Sequence, residues 1–311
     1  MIWICLVIIA ATLFGIFAER RWPQQAGVGS RRSLIVLLYV VLPPVIFENL
    51  AHADFEIGAG IGLGLGLITV SLVGLAGWVI AVPILKLPRP VAGAVICCSL
   101  VSNTGYLGYP MVLTLMGGHE LSQGVIYDVI VSGTALFLLA FGVGAAYGTK
   151  AGEGFGERLK AFFFKNPLLY AAVLGLIAPK WMAPDILVEI SRVLVILILP
   201  VGFFAVGAVL AEEEMAGAIT LPPKIHKPIG GVIFTRLILS PAILFVLAMP
   251  FSGIPKSFYL MAAMPSGLNS MIVGHAYGLD LRTCAEAVVY TTAIVMLGAL
   301  AGLRVSESAA L

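Results

Sequence analysis

Apolar residues in this chain come in long runs rather than in the alternation of half-buried strands, and most runs are as long as a bilayer is thick. A helix needs about 20 residues to cross the hydrocarbon core. Ten stretches approach or pass that length, at roughly 1–17, 33–50, 58–85, 91–116, 122–148, 167–182, 186–210, 228–250, 257–277 and 283–303. The pattern predicts an all-α integral membrane protein of ten spans. The polar stretches between them, the longest 18–32, 149–166 and 211–227, are of linker size, so no separate soluble domain is expected. The first run reads as a span and not as a signal peptide, because its basic residues follow it instead of preceding it. In the third run glycines recur at 58, 62 and 66 and at 60 and 64, a spacing that suits close helix packing.

Two runs are interrupted. Asn103, Gly105, Gly108 and Pro110 break the fourth, and Pro265, Gly267 and Asn269 break the ninth. An unsatisfied backbone group in hydrocarbon costs several kcal/mol, so such breaks persist only where they are buried in protein or line a cavity. The breaks also correspond. Aligning Gly117 with Gly278 sets residues 103–108 opposite 264–269. The second and seventh spans each carry Leu-Pro in mid-membrane, at Pro43 and Pro200. Five spans per half is an odd number, so the second half runs with opposite polarity. The expectation is a 5+5 inverted repeat: residues 1–150, a linker at 151–165, and residues 166–311. Paired interruptions in matching halves are the usual pointer to a transporter's midplane site.

Composition agrees, with 60% hydrophobic and 11% charged residues and a mean hydropathy of +1.06. The charges give the orientation. Arg20, Arg21, Arg31, Arg32, Lys86, Arg89, Lys150, Arg158, Lys160, Lys165, Lys224, Lys227 and Arg282 follow odd-numbered spans, whereas the alternate loops hold only Lys180 and Lys256. The positive-inside rule then puts odd-numbered connections in the cytoplasm and both termini outside. The acidic His52, Asp54, Glu56 loop falls on the outer side. The net charge of +2 is explained by topology and implies no nucleic-acid partner. Cys5, Cys97, Cys98 and Cys284 lack metal-ligand spacing and are read as core residues, with no metal or cofactor expected.

Four stretches, YVVLPPVIFENLAHADF (39–55), SNTGYLGYPMVLTLMG (102–117), the segment from NPLLYAAVLGLIAP to LILP (166–200) and MPSGLNSMIVGHAYGLD (264–280), resemble the auxin efflux carrier family of membrane permeases over almost the whole length. The resemblance implies the ten-helix inverted repeat shared with bile-acid symporters and some sodium/proton antiporters. Spans 1, 2, 6 and 7 would form a scaffold, and spans 3–5 and 8–10 a transport domain. Broken spans 4 and 9 would cross at the substrate, with homodimerisation through the scaffold. It also implies carboxylate substrates, auxin-like acids in plant members and dicarboxylates in bacterial ones. The compact length points to an inner-membrane protein.

The chemistry of the breaks suits an anion. The second half of a broken helix begins with unpaired N–H groups and carries about half a positive charge. Asn103 and Asn269 can bind a carboxylate or cap the broken ends without adding charge. Thr104 and Ser266 are candidate hydroxyl partners, Gly105 permits close approach, and Pro110 and Pro265 withhold backbone donors. Glu48, Asp128 and Arg236 are the candidates for proton coupling or gating. Arg236 can snorkel to the cytoplasmic face or meet an entering anion. Glu189 and Arg192 are spaced to pair, and Glu286 sits near enough to a span end to snorkel. The expected function is secondary transport of small organic anions by alternating access. The alternatives are a cation-coupled symporter, a sodium/proton antiporter of the same architecture, or an anion channel. An intramembrane enzyme would need a motif such as G-x-S-x-G or H-E-x-x-H, and the chain has neither.

Overall fold

A helix is the one local structure that satisfies its own backbone without water, so long apolar runs fold as helices wherever proline and glycine permit. The computed structural model describes residues 2–53, 57–149, 164, 167–217 and 226–309, and among them the fold is helical with no strand. In chain order the helices are α1 (Ile2–Arg21), α2 (23–51), α3 (Ile57–Ile84), α4 (Arg89–Leu100), α5 (104–116) and α6 (Gly118–Tyr147). There follow α7 (Pro167–Ile177), α8 (Asp185–Met215), α9 (Lys227–Ala248), α10 (Lys256–Ala262), α11 (Asn269–Tyr277) and α12 (Leu281–Ala309). Six of them, α1, α3, α6, α8, α9 and α12, are long and apolar enough to cross a membrane. The segments Tyr39–Ala51, Arg89–Leu100 and Pro167–Ile177 are shorter apolar helices.

The polar stretches are more helical than their composition suggests. The stretch 18–32 is no open linker: α1 runs to Arg21, only Trp22 intervenes, and Pro23 opens α2. Proline suits that first position because its fixed φ matches the helix and its missing N–H would be unpaired there anyway. α8 likewise continues past 210 to Met215, and Arg20 at the end of α1 pairs with Glu214 at the end of α8. The linker at 151–165 lies outside the described residues except for Phe164, as do Asp54, Glu56, Lys150, Arg158, Lys160, Lys165 and Lys224.

The densest packing falls in two sets of helices, with further contacts between them. α1 lies along α8, and the carboxyl-terminal part of α2 packs on α7 and α8. The α1–α8 approach is close enough to need glycine. A Cβ at Gly207 would lie 2.0 Å from Thr12 O, and one at Gly15 2.1 Å from Phe204 O. In the other set α3 packs on α4, α6 and α9, and α12 packs on α4, α9 and α11. The two glycine rows of α3 part company here. Gly58, Gly62 and Gly66 are buried against neighbours, whereas Gly60 and Gly64 have nothing within 4 Å of an added Cβ. Leu6, Leu13, Phe17, Ile68, Leu75, Val193, Leu197 and Phe245 are exposed outward, the arrangement that a lipid solvent accommodates. Glu286 does not snorkel: it is fully buried, hydrogen-bonded to the His226 ring and ion-paired, at 3.1 Å, with Arg282 one turn away. Removing it from water needs such partners.

Candidate functional site

The centre of the molecule is the point where α4 and α10 both stop. Inside a continuing helix, Asn103 N–H would donate to Ser99 O; here it donates to Pro265 O at 2.8 Å. Gly267 N–H returns the bond to Val101 O at 2.9 Å, so Ser102 and Ser266 form an antiparallel bridge between the gaps. Backbones can come this near because Gly267 lacks a Cβ, which would sit 2.8 Å from Ser102 O. Ser266 N–H donates to Thr291 Oγ1 (3.0 Å) and its hydroxyl to Cys98 O (2.9 Å). Pro265 has no N–H to satisfy. The chain resumes helix at Thr104, through one π turn (Thr104–Gly108) with Pro110 one turn on, and at Asn269. Both resumed helices end on glycines of positive φ, Gly117 at +85° and Gly278 at +74°.

On the carbonyl side of this crossing lies Arg236, which does not reach an aqueous face. It is 3% exposed. Its Nε donates to Met264 O (3.1 Å), Nη1 to Ser99 O (3.1 Å), and Nη2 to Ala262 O and Ser240 Oγ (2.7 Å each). On the other side is a cavity of about 200 Å³ bordered by Asn103, Thr104, Gly105, Asp128, Ser132 and Asn269. Asn103 is 2% exposed, and neither its Oδ1 nor its Nδ2 has a partner among the described residues. An unmet buried amide costs about 1–3 kcal/mol for each such group. Asn269, the first residue of α11, is half-buried at the same wall.

Asp128 faces the start of α5. Thr104 Oγ1 bonds its carboxylate and also lies 2.9 Å from Ser132 Oγ, and Tyr109 OH donates to Asp128 Oδ2 at 2.7 Å. The resulting wall is a hydroxyl–carboxylate cluster directly beside the unpartnered amide. Ser132 was not singled out from the sequence, although its place four residues after Asp128 put it on the same helix face.

A second cavity of about 390 Å³ shares Ile35, Tyr106, Leu268, Asn269 and Ile272 with the first and is also bordered by Glu212, Glu213 and His275. This second cavity adjoins the first and lies toward the face that holds the ends of α8 and α11. At the opposite end Glu120 Oε2 accepts from Ser257 N–H (2.8 Å), tying α6 to α10. There Arg192, paired with Glu189, lies directly over Gly118, where an added Cβ would sit 2.3 Å from Nη2.

The structure thus brings Asn103, Thr104, Gly105, Asp128 and Asn269 to one cavity. Pro110, Pro265 and Ser266 shape the breaks without bordering it, and Glu48, 8% exposed on α2, does not border it either. Pro43 follows the π turn Leu37–Val41 in α2, and Pro200 lies inside α8, which continues through it.

A family model described as "membrane transport protein" matches residues 3–150 and 158–301. An uncharacterized transporter of Methanocaldococcus jannaschii is 24% identical over 275 residues, covering 84% of this chain and 85% of that protein. One from Methanothermobacter thermautotrophicus is 26% identical over 269 residues, 83% of this chain and 82% of its own.

Proposed function

The chain belongs to the membrane transport protein family, the auxin efflux carriers, and is a multi-pass membrane transporter; from that premise we propose that it is a secondary carrier of small organic anions, with mono- or dicarboxylates bound where the two interrupted helices cross. The observation that carries this reading is Asn103, whose buried amide has both its donor and its acceptor unspent at the cavity wall. A carboxylate accepts from such an amide, and the helix starts at Thr104 and Asn269 add favourable positive potential. The cavity volume, about 200 Å³, lies below the roughly 300–1,000 Å³ of drug-sized sites, which favours a small acid over an indole acid.

In this reading α4–α5 and α10–α11 are the fourth and ninth spans of ten, arranged as two inverted five-span halves. α1, α2, α7 and α8 are the scaffold and the dimer surface, and the remaining helices move against it. With the loop charges setting orientation in the inner membrane and both termini outside, the face bearing Glu212, Glu213 and His275 is cytoplasmic. The larger cavity then lies on the cytoplasmic side of the crossing. Asp128 supports a second element of the reading, proton coupling: an ionised carboxylate in the same cavity repels an anionic substrate, so a proton travels with it.

The test is transient charge movement in proteoliposomes challenged with a panel of carboxylates, in wild type and Asn103→Ala. Saturable currents in the wild type that collapse in the variant support the reading. Currents unchanged by the substitution remove Asn103 from the site. If the panel evokes no current, counterflow of labelled malate at controlled pH separates an electroneutral carrier from a protein with other substrates.

A further inference from the structure

The Arg236 environment is unusual because its partners are not acids. Among the described residues no carboxylate pairs with this buried guanidinium; four oxygens surround it instead. Three are carbonyls that the breaks have set free. Ser99 O lost its helical donor when Asn103 N–H turned to Pro265, and Ala262 O lost its own when Ser266 N–H turned to Thr291. Met264 O lies in the gap itself. The fourth is the Ser240 hydroxyl, which is held in place by donating to Ala262 O at 2.8 Å.

Converging carbonyls at the ends of interrupted helices are the chemistry with which membrane carriers bind alkali cations. We propose that Arg236 is a tethered cation occupying a monovalent-cation site built from Ser99 O, Ala262 O, Met264 O and Ser240 Oγ, so that the crossing needs no sodium ion. Two helix ends of about half a negative charge each call for about one positive charge, which a single guanidinium supplies. Its planar fork can serve several acceptors at once, which a lysine ammonium on a flexible stem does less well. Arg236 borders neither cavity, so it is a positioning residue: it holds α4, α9 and α10 in the register that keeps Asn103 at the cavity wall. The inference deepens the carrier reading by naming what stands in for a coupling cation, and rests on that reading only for this consequence.

The proposal predicts a vacancy that a free cation can fill. Purified wild type, Arg236→Ala and Arg236→Lys are compared for radiolabelled-sodium binding. Their melting temperatures are measured in sodium chloride, in choline chloride of equal ionic strength, and in choline chloride with added guanidinium. The expected result is no sodium binding and equal melting temperatures in the wild type. The alanine variant should lose roughly 5 °C or more in choline and regain it in sodium or guanidinium, with sodium now bound. The lysine variant should fall between them and bind no sodium. Sodium binding by the wild type overturns the proposal, and so does an alanine variant that neither sodium nor guanidinium restores. If the alanine variant cannot be purified, sodium binding by the wild type or the lysine variant overturns it, and its absence from both upholds it. None of these readouts uses a carboxylate, so failure of the substrate reading would leave them unaffected and be told apart.

Discussion

Asn103 and Asp128 share one wall but ask for different tests. Removing an amide that makes one or two bonds to a charged substrate costs about 1.5–3 kcal/mol each, so Asn103→Ala should weaken carboxylate binding at least tenfold, read from the half-saturating concentration of the charge movement. Asp128 should instead govern the response to pH. On the proposed reading a substrate anion enters more readily when this carboxyl is protonated, so wild-type counterflow should rise as pH falls. The limit is about tenfold per pH unit where the carboxyl is mostly ionised, since one unit is 1.36 kcal/mol. Asp128→Asn copies the protonated form and should give a flat profile near the acid-side rate; a variant profile as steep as the wild type would exclude Asp128 as the coupling group. The places where α4 and α10 stop could be read locally, because asparagine, glycine and proline cluster within a few residues of each. Arg236 could not. Its three carbonyl acceptors lie 137, 28 and 26 residues away, and Ser240, one turn on, does not by itself tell a guanidinium bound for backbone carbonyls from one that snorkels.

At the scale of helices, glycine separates contact from mere composition. Gly207→Leu drives a side chain into the backbone of α1, and overpacking of this kind costs about 1–3 kcal/mol or more. A fall in melting temperature of several degrees in detergent is expected. Gly64→Ala on α3 meets nothing within 4 Å and reduces the freedom of the unfolded chain, so it should be neutral or stabilise by about 0.4–1 kcal/mol. Equal effects from the two substitutions would contradict the packing described. The spacing of the α3 glycines announced a smooth helix, but which row is covered depends on where α6 and α9–α10 fall, and that is tertiary information. The polar stretch at 18–32 misleads for a related reason. Arginine and glutamine are good helix formers, and their polarity says only that a segment meets water, not that it is irregular.

For the whole molecule, the alternating access proposed above would open and close the contact between Gly118 and Arg192. Gly118→Leu should push the flexible Arg192 guanidinium aside and uncover that end. In a Ser132→Cys background, whose four native cysteines are buried, an impermeant maleimide should then label from the side opposite the Glu212–Glu213 face; labelling unchanged from the Ser132→Cys parent would argue against a gate there. The crossing has another consequence, for how the chain is made. Cys98 O, Ser99 O, Val101 O and Asn103 N–H all find their partners in residues after 235: Ser266, Arg236, Gly267 and Pro265. While the ribosome is still short of that region, the first interruption has nothing but water or an insertion factor to bond. A fragment ending at 150 should therefore be degraded or remain with its membrane insertase, and co-expression of 151–311 should rescue it. Nascent first halves have to wait, unsealed, for roughly another hundred residues of synthesis before the membrane can close over them.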